Sequence, residues 1–175
     1  EEAAVTMQNG SESFQIFQYE AVIIEGKAHS VAGVIPSNAI DFQEAKAACE
    51  ASGWRICTQA EWQQACKGPE NMLFAFAATK DGPPKVEEAC DVARTTNNTP
   101  GSLPSKTGSH AQCVTKGAQI WDMVGNASEW AYDANNQPKA MGVAFYQDAA
   151  VSNCEGGLDT QPEEKSTDMG FRCCK

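Results

Sequence analysis

The chain has 175 residues, a formal net charge of −10 and 42% hydrophobic residues, which is enough for one folded domain with a sizeable core. Its 13 lysines and arginines are spread thinly, so the charge pattern excludes nucleic acid and anionic membrane surfaces as expected partners. No apolar stretch approaches the length of a membrane span, so membrane insertion is not expected either. The given sequence also begins without the basic and apolar segments of a signal peptide.

The N-terminal part is predicted to run from an arm through a strand into a helix. Residues 1–13 form the expected flexible arm of a single domain over 1–175. Residues 14–24 alternate partly and are rich in aromatic and β-branched side chains, which is typical of a strand. After a loop over 26–36, Ser37 or Asn38 is predicted to cap a helix that ends at Gly53, with Phe42 and Cys49 on one face.

A second helix is predicted directly afterwards. Thr58 and Glu61 have the spacing of a capping box, in which each side chain satisfies a free backbone donor of the first turn, and Gly68 ends the helix. Residues 71–117 are rich in Gly, Pro, Ser, Thr and Asn and form a predicted long irregular region, which needs a covalent link or a metal ion to be ordered. Further strands are predicted over 119–124, 140–146 and 170–174.

Eight cysteines give the strongest compositional signal. Their even number, wide spacing and lack of paired C-x-x-C motifs argue against zinc and favour disulfides. Disulfides place the protein in an oxidising compartment, that is, outside the cell, at the cell surface or in the periplasm. The alternative is a cytosolic protein with reduced, buried cysteines. The cysteines are Cys49, Cys57, Cys66, Cys90, Cys113, Cys154, Cys173 and Cys174.

Three segments in order carry a recognisable pattern. They are CEASGWRICTQAEWQQAC over 49–66, WDMVGNASEW over 121–130 and GFRCC over 170–174. Together they resemble the formylglycine-generating enzyme family, also called the sulfatase-modifying-factor domain, from about residue 14 to the C-terminus. The resemblance implies an α+β fold, an irregular C-type-lectin-like variant. This fold has two helices, short antiparallel strands and long loops, and here disulfides would staple it.

The resemblance also implies two of the disulfides. The helix cysteine Cys49 would pair with Cys173, and Cys66 with Cys154. The pairs Cys90–Cys113 and Cys57–Cys174 would follow by elimination, although eight cysteines allow 105 connectivities and sequence alone does not select among them.

The residues that the family uses for catalysis are missing. Formylglycine-generating enzymes oxidise a cysteine of a sulfatase with copper held by two reactive cysteines, which lie shortly before the position of Cys154. Here residues 140–153 contain no cysteine. Related iron enzymes need several histidines, and this chain has only His29 and His110. We therefore predict no catalytic residue, no copper or iron and no enzymatic activity.

The segment around the Gly-Asn turn is predicted to bind calcium, which takes six to eight oxygen ligands. This prediction depends on the resemblance more than on spacing. The alternative is a turn whose acidic residues cap backbone donors or face water. The predicted ligands are the carboxylates of Asp122 and Glu129, the carbonyls of Gly125 and Ala127, and, at a second site, Asp91 and the carbonyl of Val92.

These observations favour a non-catalytic, adhesin-like recognition module on a calcium- and disulfide-stabilised scaffold. Its ligand would be a glycan or a protein at a cell surface, bound by the loops 71–117 and 135–161, because function concentrates on loops held by a rigid frame. The four tryptophans lie inside the family motifs and are predicted to be core residues. Two alternatives remain: a formylglycine-generating-type oxidoreductase with a rebuilt metal site, and a structural subunit of an envelope or fibre tip.

Overall fold

The computed structural model describes residues 2–92 and 102–175. Within these ranges the chain forms three short helices and three small sheets, with strand orders β1-β2-β10-β5, β3-β4 and β8-β7-β6-β9. The elements in chain order are β1 (Ala4–Asn9), β2 (Glu12–Phe17), β3 (Ala21–Ile24), β4 (Lys27–Ser30), α1 (Phe42–Ala51), β5 (Arg55–Ile56), α2 (Gln59–Lys67), α3 (Val86–Ala89), β6 (Ser128–Tyr132), β7 (Pro138–Met141), β8 (Gly157–Asp159), β9 (Met169–Phe171) and β10 (Cys173–Cys174).

The N-terminal segment is part of the first sheet, so the prediction of a flexible arm over 1–13 was wrong. Strand β1 pairs antiparallel with β2 along its whole length, from Ala4 opposite Phe17 to Asn9 opposite Glu12. The two residues between the strands are Gly10 and Ser11, and Gly10 has a φ of +63°. A glycine at the first of two turn residues suits a type II′ hairpin turn, and this explains why the segment is ordered.

The single strand predicted over 14–24 is two strands, β2 and β3, that belong to different sheets. The predicted loop over 26–36 contains β4, which pairs with β3 as a hairpin. Glu25 and Gly26 at its turn both have positive φ, 51° and 76°, as a two-residue type I′ turn requires. The sequence signal was weak because glutamate is an uncommon residue at the first of these positions.

Helix α1 begins later than predicted, and its cap is Asp41 rather than Ser37 or Asn38. The Asp41 carboxylate accepts from the backbone N–H of Glu44 at 2.8 Å, and the Glu44 carboxylate accepts from the Asp41 N–H at 3.0 Å. Ser37 serves a different element, because its hydroxyl accepts from the Ile23 N–H at 2.8 Å. The true cap is therefore also a capping box.

Helix α2 confirms its predicted start. The Thr58 hydroxyl accepts from the Glu61 N–H at 3.1 Å, and the Glu61 carboxylate accepts from the Thr58 N–H at 2.9 Å. Its inward face buries Trp62, Ala65 and Cys66. Trp130 is buried like Trp62. The other two tryptophans are only partly buried: Trp54 contacts Phe17 edge-on, and Trp121 stacks on Tyr19.

The third sheet carries β6, which was not predicted from the sequence. Strand β6 pairs antiparallel with β7 but parallel with β9, so the strands are not all antiparallel as expected. The predicted strand over 119–124 is irregular and forms only an isolated bridge between Trp121 and Val114. The α+β class and the two main helices agree with the prediction. The four-residue α3 is additional.

Four disulfides hold these elements together, and they include all eight cysteines. They match the two pairs implied by the resemblance and the two reached by elimination. Cys49–Cys173 and Cys57–Cys174 fix α1 and the start of α2 to β10. Cys66–Cys154 joins α2 to the loop after β7, and Cys90–Cys113 closes the long irregular region. In the described part of the chain, no helix is long and apolar enough to cross a membrane. The pairs are Cys49–Cys173, Cys57–Cys174, Cys66–Cys154 and Cys90–Cys113.

Candidate functional site

A buried ion pair joins the second and third of the three sequence segments that carry the resemblance. Arg172 is fully buried, and its Nη2 and Nε donate to the carboxylate of Glu129 at 2.9 to 3.2 Å. The same guanidinium donates to the carbonyls of Phe17 and Trp121, both at 2.8 Å. Trp62 Nε1 donates to Glu129 at 2.7 Å. All three nitrogens of the Arg172 guanidinium and both oxygens of Glu129 therefore take part in hydrogen bonds inside the protein.

A second buried carboxylate, Glu20, holds the Gly-Asn turn in place. It accepts from the backbone N–H of Ala127 at 3.0 Å and from the side-chain amide of Asn126. Burial raises the pKa of Glu20 well above its ordinary value, and the nearby charges of Asp122 and Glu129 raise it further. Glu20 lies in the short segment between β2 and β3, so it connects the N-terminal sheet to the turn.

The third buried carboxylate is Asp122, which is 2% exposed. It accepts from the backbone N–H of Gly108 at 2.7 Å and thereby orders the end of the long irregular region. Burial raises the pKa of Asp122 to about 7, against the lowering effects of the Gly108 hydrogen bond and of Arg172. At neutral pH this group therefore titrates.

The three carboxylates outnumber the single guanidinium among them. Burial alone would lower the pKa of Arg172, but the charges of Glu129, Glu20 and Asp122 raise it overall. A buried charge is tolerated only when it is paired and hydrogen-bonded. Arg172 is thus the counter-charge for the whole group, which we call the charge centre: Glu20, Asp122, Glu129 and Arg172.

The structure brings the two predicted calcium sites together. The carbonyl of Asp91 accepts from the Asn126 N–H at 2.9 Å, and the Asp91 carboxylate accepts from the Ser105 hydroxyl at 2.6 Å. Gly125 has a φ of +79°, and a Cβ there would lie 2.3 Å from the Asp91 carbonyl oxygen. Only glycine fits this approach. Val92 is fully buried beside it.

The carboxylate of Glu129, one of the predicted calcium ligands, is already paired with a cation of the protein. Both oxygens of Glu129 face the guanidinium of Arg172, and one of them also accepts from Trp62, so a cation at Glu129 would meet a positive charge. Over residues 2–92 and 102–175, no group of three or more acidic, histidine or cysteine side chains is placed to hold a metal ion. The acidic side chains Asp122 and Glu129 accept hydrogen bonds from protein donors.

Residues 140–153, where the family has its two copper-binding cysteines, make structural contacts in this chain. The backbone of Phe145 donates to the Asn126 carbonyl at 2.8 Å, and the Phe145 ring is fully buried. The next residue, Tyr146, donates its hydroxyl to Asp168 at 2.7 Å. Because all eight cysteines form disulfides, the protein has no thiol pair for Cu(I). Within 140–153, Phe145 contacts the Gly-Asn turn and Tyr146 contacts the segment before β9.

Comparison with known proteins decides the family. The model of the sulfatase-modifying factor enzyme 1-like domain matches residues 17–175. The chain belongs to this family. A search of curated proteins with the sequence of this chain finds no match.

Solved structures share the fold at low sequence identity. PvdO from Pseudomonas aeruginosa superimposes with a TM-score of 0.65 and 13% identity, covering 98% of this chain and 89% of PvdO. Variable protein 1 of Treponema denticola has a TM-score of 0.62 and 13% identity, covering 98% and 92% of the two chains. The I1 variant of the major tropism determinant has a TM-score of 0.52 and 12% identity, covering 92% of this chain and 50% of that one. These similarities establish the C-type-lectin-like fold of the sulfatase-modifying-factor domain.

Sequence reasoning missed the roles of two residues in the charge centre. Arg172 was part of the GFRCC motif but was not assigned a role, and Glu20 was treated as part of a strand. A signal existed for Glu20, because it is a charged residue inside the run FQIFQYEAVII. Its partner at Asn126 lies 106 residues away, and no local pattern indicates that distance. Asn126 itself is buried, so the Asn-Ala-Ser sequence is not accessible for glycosylation in the folded protein.

Proposed function

We propose that this domain is a non-catalytic recognition module that works outside the cytoplasm. One observation carries the proposal: all eight cysteines are in disulfides. The thiolate is the form of cysteine that attacks substrates and binds metals, and a disulfide supplies none. The family's oxidation of a substrate cysteine through a copper–thiolate pair therefore has no residues to perform it in this chain.

The charge centre supports the same conclusion. A catalytic acid or base must come within hydrogen-bonding distance of the substrate. Glu129 and Asp122 are 1% and 2% exposed, and their oxygens accept from protein donors. We interpret the centre as the frame that fixes the Gly-Asn turn, the long irregular region and the last strand relative to each other.

The disulfides also support a location in an oxidising compartment, either extracellular, at the cell surface or in the periplasm, because thiols are kept reduced in the cytosol. One of the structures that share the fold is named a tropism determinant, which is consistent with recognition as a use of this fold. Calcium is not included in the proposal, since Arg172 takes the place of a cation at Glu129.

Four measurements on the purified chain test the proposal. Thiols are titrated in guanidinium without reductant, Cu(I) binding is measured by competition, and oxidation of a cysteine-containing peptide is followed by mass spectrometry. Binding to a glycan array and to cell-envelope extracts is measured with calcium and with chelator. We expect no free thiol, no stoichiometric copper, no peptide oxidation, and specific binding to a ligand.

The outcomes separate this proposal from its two alternatives. Stoichiometric copper with oxidation of the peptide would establish an oxidoreductase with a rebuilt metal site. Stable self-association with no ligand in either binding assay would favour a structural subunit. Either result would overturn the recognition module.

A further inference from the structure

Two clefts lie on either side of the turn between β6 and β7 and meet at Tyr132 and Asn136. One is bounded by α1 and β5 and has a volume of about 440 Å³, and the other lies beside the start of α2 and has a volume of about 510 Å³. Both fall in the range of small-molecule sites, roughly 300 to 1,000 Å³. We call the two clefts together the Tyr132 groove. No residue of the charge centre lines it.

The groove is built on a rigid part of the fold. Tyr132 forms a β-bridge with Thr58 and donates its N–H to the Cys57 carbonyl at 3.3 Å, and Cys57 is joined to Cys174 by a disulfide. In the turn, the Asp133 carboxylate accepts from two backbone N–H groups of the same turn at 2.8 and 2.9 Å. A site that is already ordered binds with a smaller entropic cost.

Side-chain amides line the groove alongside its charged residues, and one of them, Gln63, donates to the Glu155 carbonyl. Of the others, Gln43 lies on α1, Gln59 begins α2, and Asn136 lies on the turn between β6 and β7. In the described part of the chain, these three amides form no side-chain hydrogen bond with another residue. An amide offers both a donor and an acceptor, which matches the hydroxyl groups of a sugar. The partly exposed ring of Tyr132 adds an apolar surface with a polar tip, of the kind that sites use against amphipathic ligands.

The charged residues of the groove are already paired. Lys46 contacts Glu50 at 2.5 Å, and Arg55 binds the carboxylate of Glu61 through two hydrogen bonds at 2.5 and 2.7 Å. Recognition of phosphate, sulfate or carboxylate relies on arginine and lysine that can face the ligand. The pairing of both cations therefore favours a neutral ligand over an anionic one.

The large apolar side chains that line the groove, Phe42 and Ile56, are only 8% and 2% exposed, so they offer no projecting apolar anchor to a protein partner. Binding energy between proteins concentrates in buried aromatic and apolar anchors at the centre of the contact. The large apolar side chains exposed in the described residues all lie outside the groove lining: Ile24, Ile35, Leu103, Val151 and Leu158.

We propose that the Tyr132 groove binds a neutral oligosaccharide and does so without calcium. This inference rests on the proposed function, because it names the ligand class and the site of the recognition module. The amides of Gln43, Gln59 and Asn136 contact the sugar hydroxyls, and Tyr132 packs against an apolar face of a sugar ring.

The test uses the full chain on an array of neutral and anionic oligosaccharides, followed by calorimetry with the strongest neutral glycan. Gln43→Ala keeps a helix former at an exposed helix position, and Asn136→Gly suits a residue with a φ of 59°. Gln112→Ala removes an exposed amide outside the groove and is the matched control. We expect about fivefold weaker binding for each groove variant and about 30-fold for the double variant, because one hydrogen bond contributes about 1 kcal/mol.

The control is expected to bind like the parent, and chelator is expected to have no effect. Equal glycan binding in all variants would refute the site, and binding that requires calcium would refute the mechanism. Binding only to a protein or only to anionic glycans would refute the ligand class while leaving the recognition module intact. If neither array nor envelope extract yields a ligand, the proposed function fails as well.

Discussion

The most informative perturbation of the charge centre is removal of its single cation by Arg172→Met. Methionine fills much of the volume of the arginine stem, so the main change is loss of charge and of hydrogen bonds. Glu129 would then be buried without a counter-charge and would escape this state by binding a proton. From an ordinary glutamate pKa near 4.3, protonation at pH 7.5 costs about 4 kcal/mol, at 1.36 kcal/mol per pH unit.

Loss of the donors adds to this cost. The carbonyls of Phe17 and Trp121 lose the guanidinium hydrogen bonds, which costs about 1 kcal/mol for each buried group left without a partner. We therefore expect Arg172→Met to lower the free energy of unfolding by about 5 to 6 kcal/mol at pH 7.5. At pH 5.0, protonation costs only about 1 kcal/mol, so the loss should shrink by about 3 kcal/mol.

The reverse change, Glu129→Gln, should cost less. Loss of the Glu129 charge removes one of the causes that raise the pKa of Glu20 and of Asp122, so these carboxyls ionise more readily beside Arg172. The glutamine oxygen can still accept from Trp62. We expect a loss of about 1 to 3 kcal/mol, typical of a weakened buried hydrogen-bonding pair. The double variant should be more stable than Arg172→Met alone, because it contains no unpaired carboxylate at position 129.

Urea denaturation with the disulfides intact measures all three variants at both pH values. Lys46→Met is the control, because its ion pair with Glu50 joins side chains that are 46% and 54% exposed and should change stability by less than about 0.5 kcal/mol. The reasoning is refuted if Glu129→Gln costs as much as Arg172→Met, or if the cost of Arg172→Met is the same at both pH values. If Arg172→Met does not fold at pH 7.5, folding at pH 5.0 and in the double variant remains the test.

Three further predictions concern pH, covalent links and calcium. The pKa of Asp122 is raised to about 7, so between about pH 4 and 7 the folded state binds a proton that the unfolded state lacks. The free energy of unfolding therefore falls as pH rises through that window, by at most about 4 kcal/mol. Asp122→Asn should flatten this pH profile, measured by urea denaturation, and be more stable than the parent chain at pH 8. Because Cys57–Cys174 stays intact, Cys49–Cys173 closes a loop of only about 10 residues, and replacing its two cysteines by alanine should cost roughly 2.7 kcal/mol. Replacing Cys90 and Cys113, 23 residues apart, should cost roughly 3.4 kcal/mol; a clearly larger loss for the first pair in calorimetry would contradict the loop-closure reasoning. About 5 mM calcium should move the melting temperature by less than about 1 °C relative to chelator, whereas a site filled at 100 times its Kd would add about 2.7 kcal/mol.

The parts of the fold that sequence predicts well are those specified by neighbouring residues. Thr58 and Glu61 are three positions apart and contact each other in the structure, so the start of α2 was predictable. The same logic applies to α1, where Asp41 and Glu44 have identical spacing but the preceding Ser37 offered a competing cap. The missed hairpins of the N-terminal half were specified by their two-residue turns, Gly10-Ser11 and Glu25-Gly26, in which the first or both residues have positive φ.

The charge centre could not be predicted because its contacts are long-range. Arg172 and Glu129 are 43 residues apart, and Arg172 and Phe17 are 155 residues apart. The resemblance identified the correct segments and suggested calcium from their acidic residues. Which charge neutralises Glu129 depends on which cation the fold brings beside it, and this is set by the pairing of β6 with β9 rather than by the spacing within 122–130.

Stability and recognition are assigned to different residues in this domain, and the groove test depends on that separation. The charge centre is buried, and each of its carboxylates accepts at least one hydrogen bond from the protein, so a substitution there changes the free energy of unfolding. Gln43 and Asn136 are exposed and form no side-chain hydrogen bonds within the described ranges. Their replacement should therefore change stability by less than about 0.5 kcal/mol. A loss of glycan affinity in those variants, with unchanged unfolding, would then be a property of the groove and not of a weakened fold.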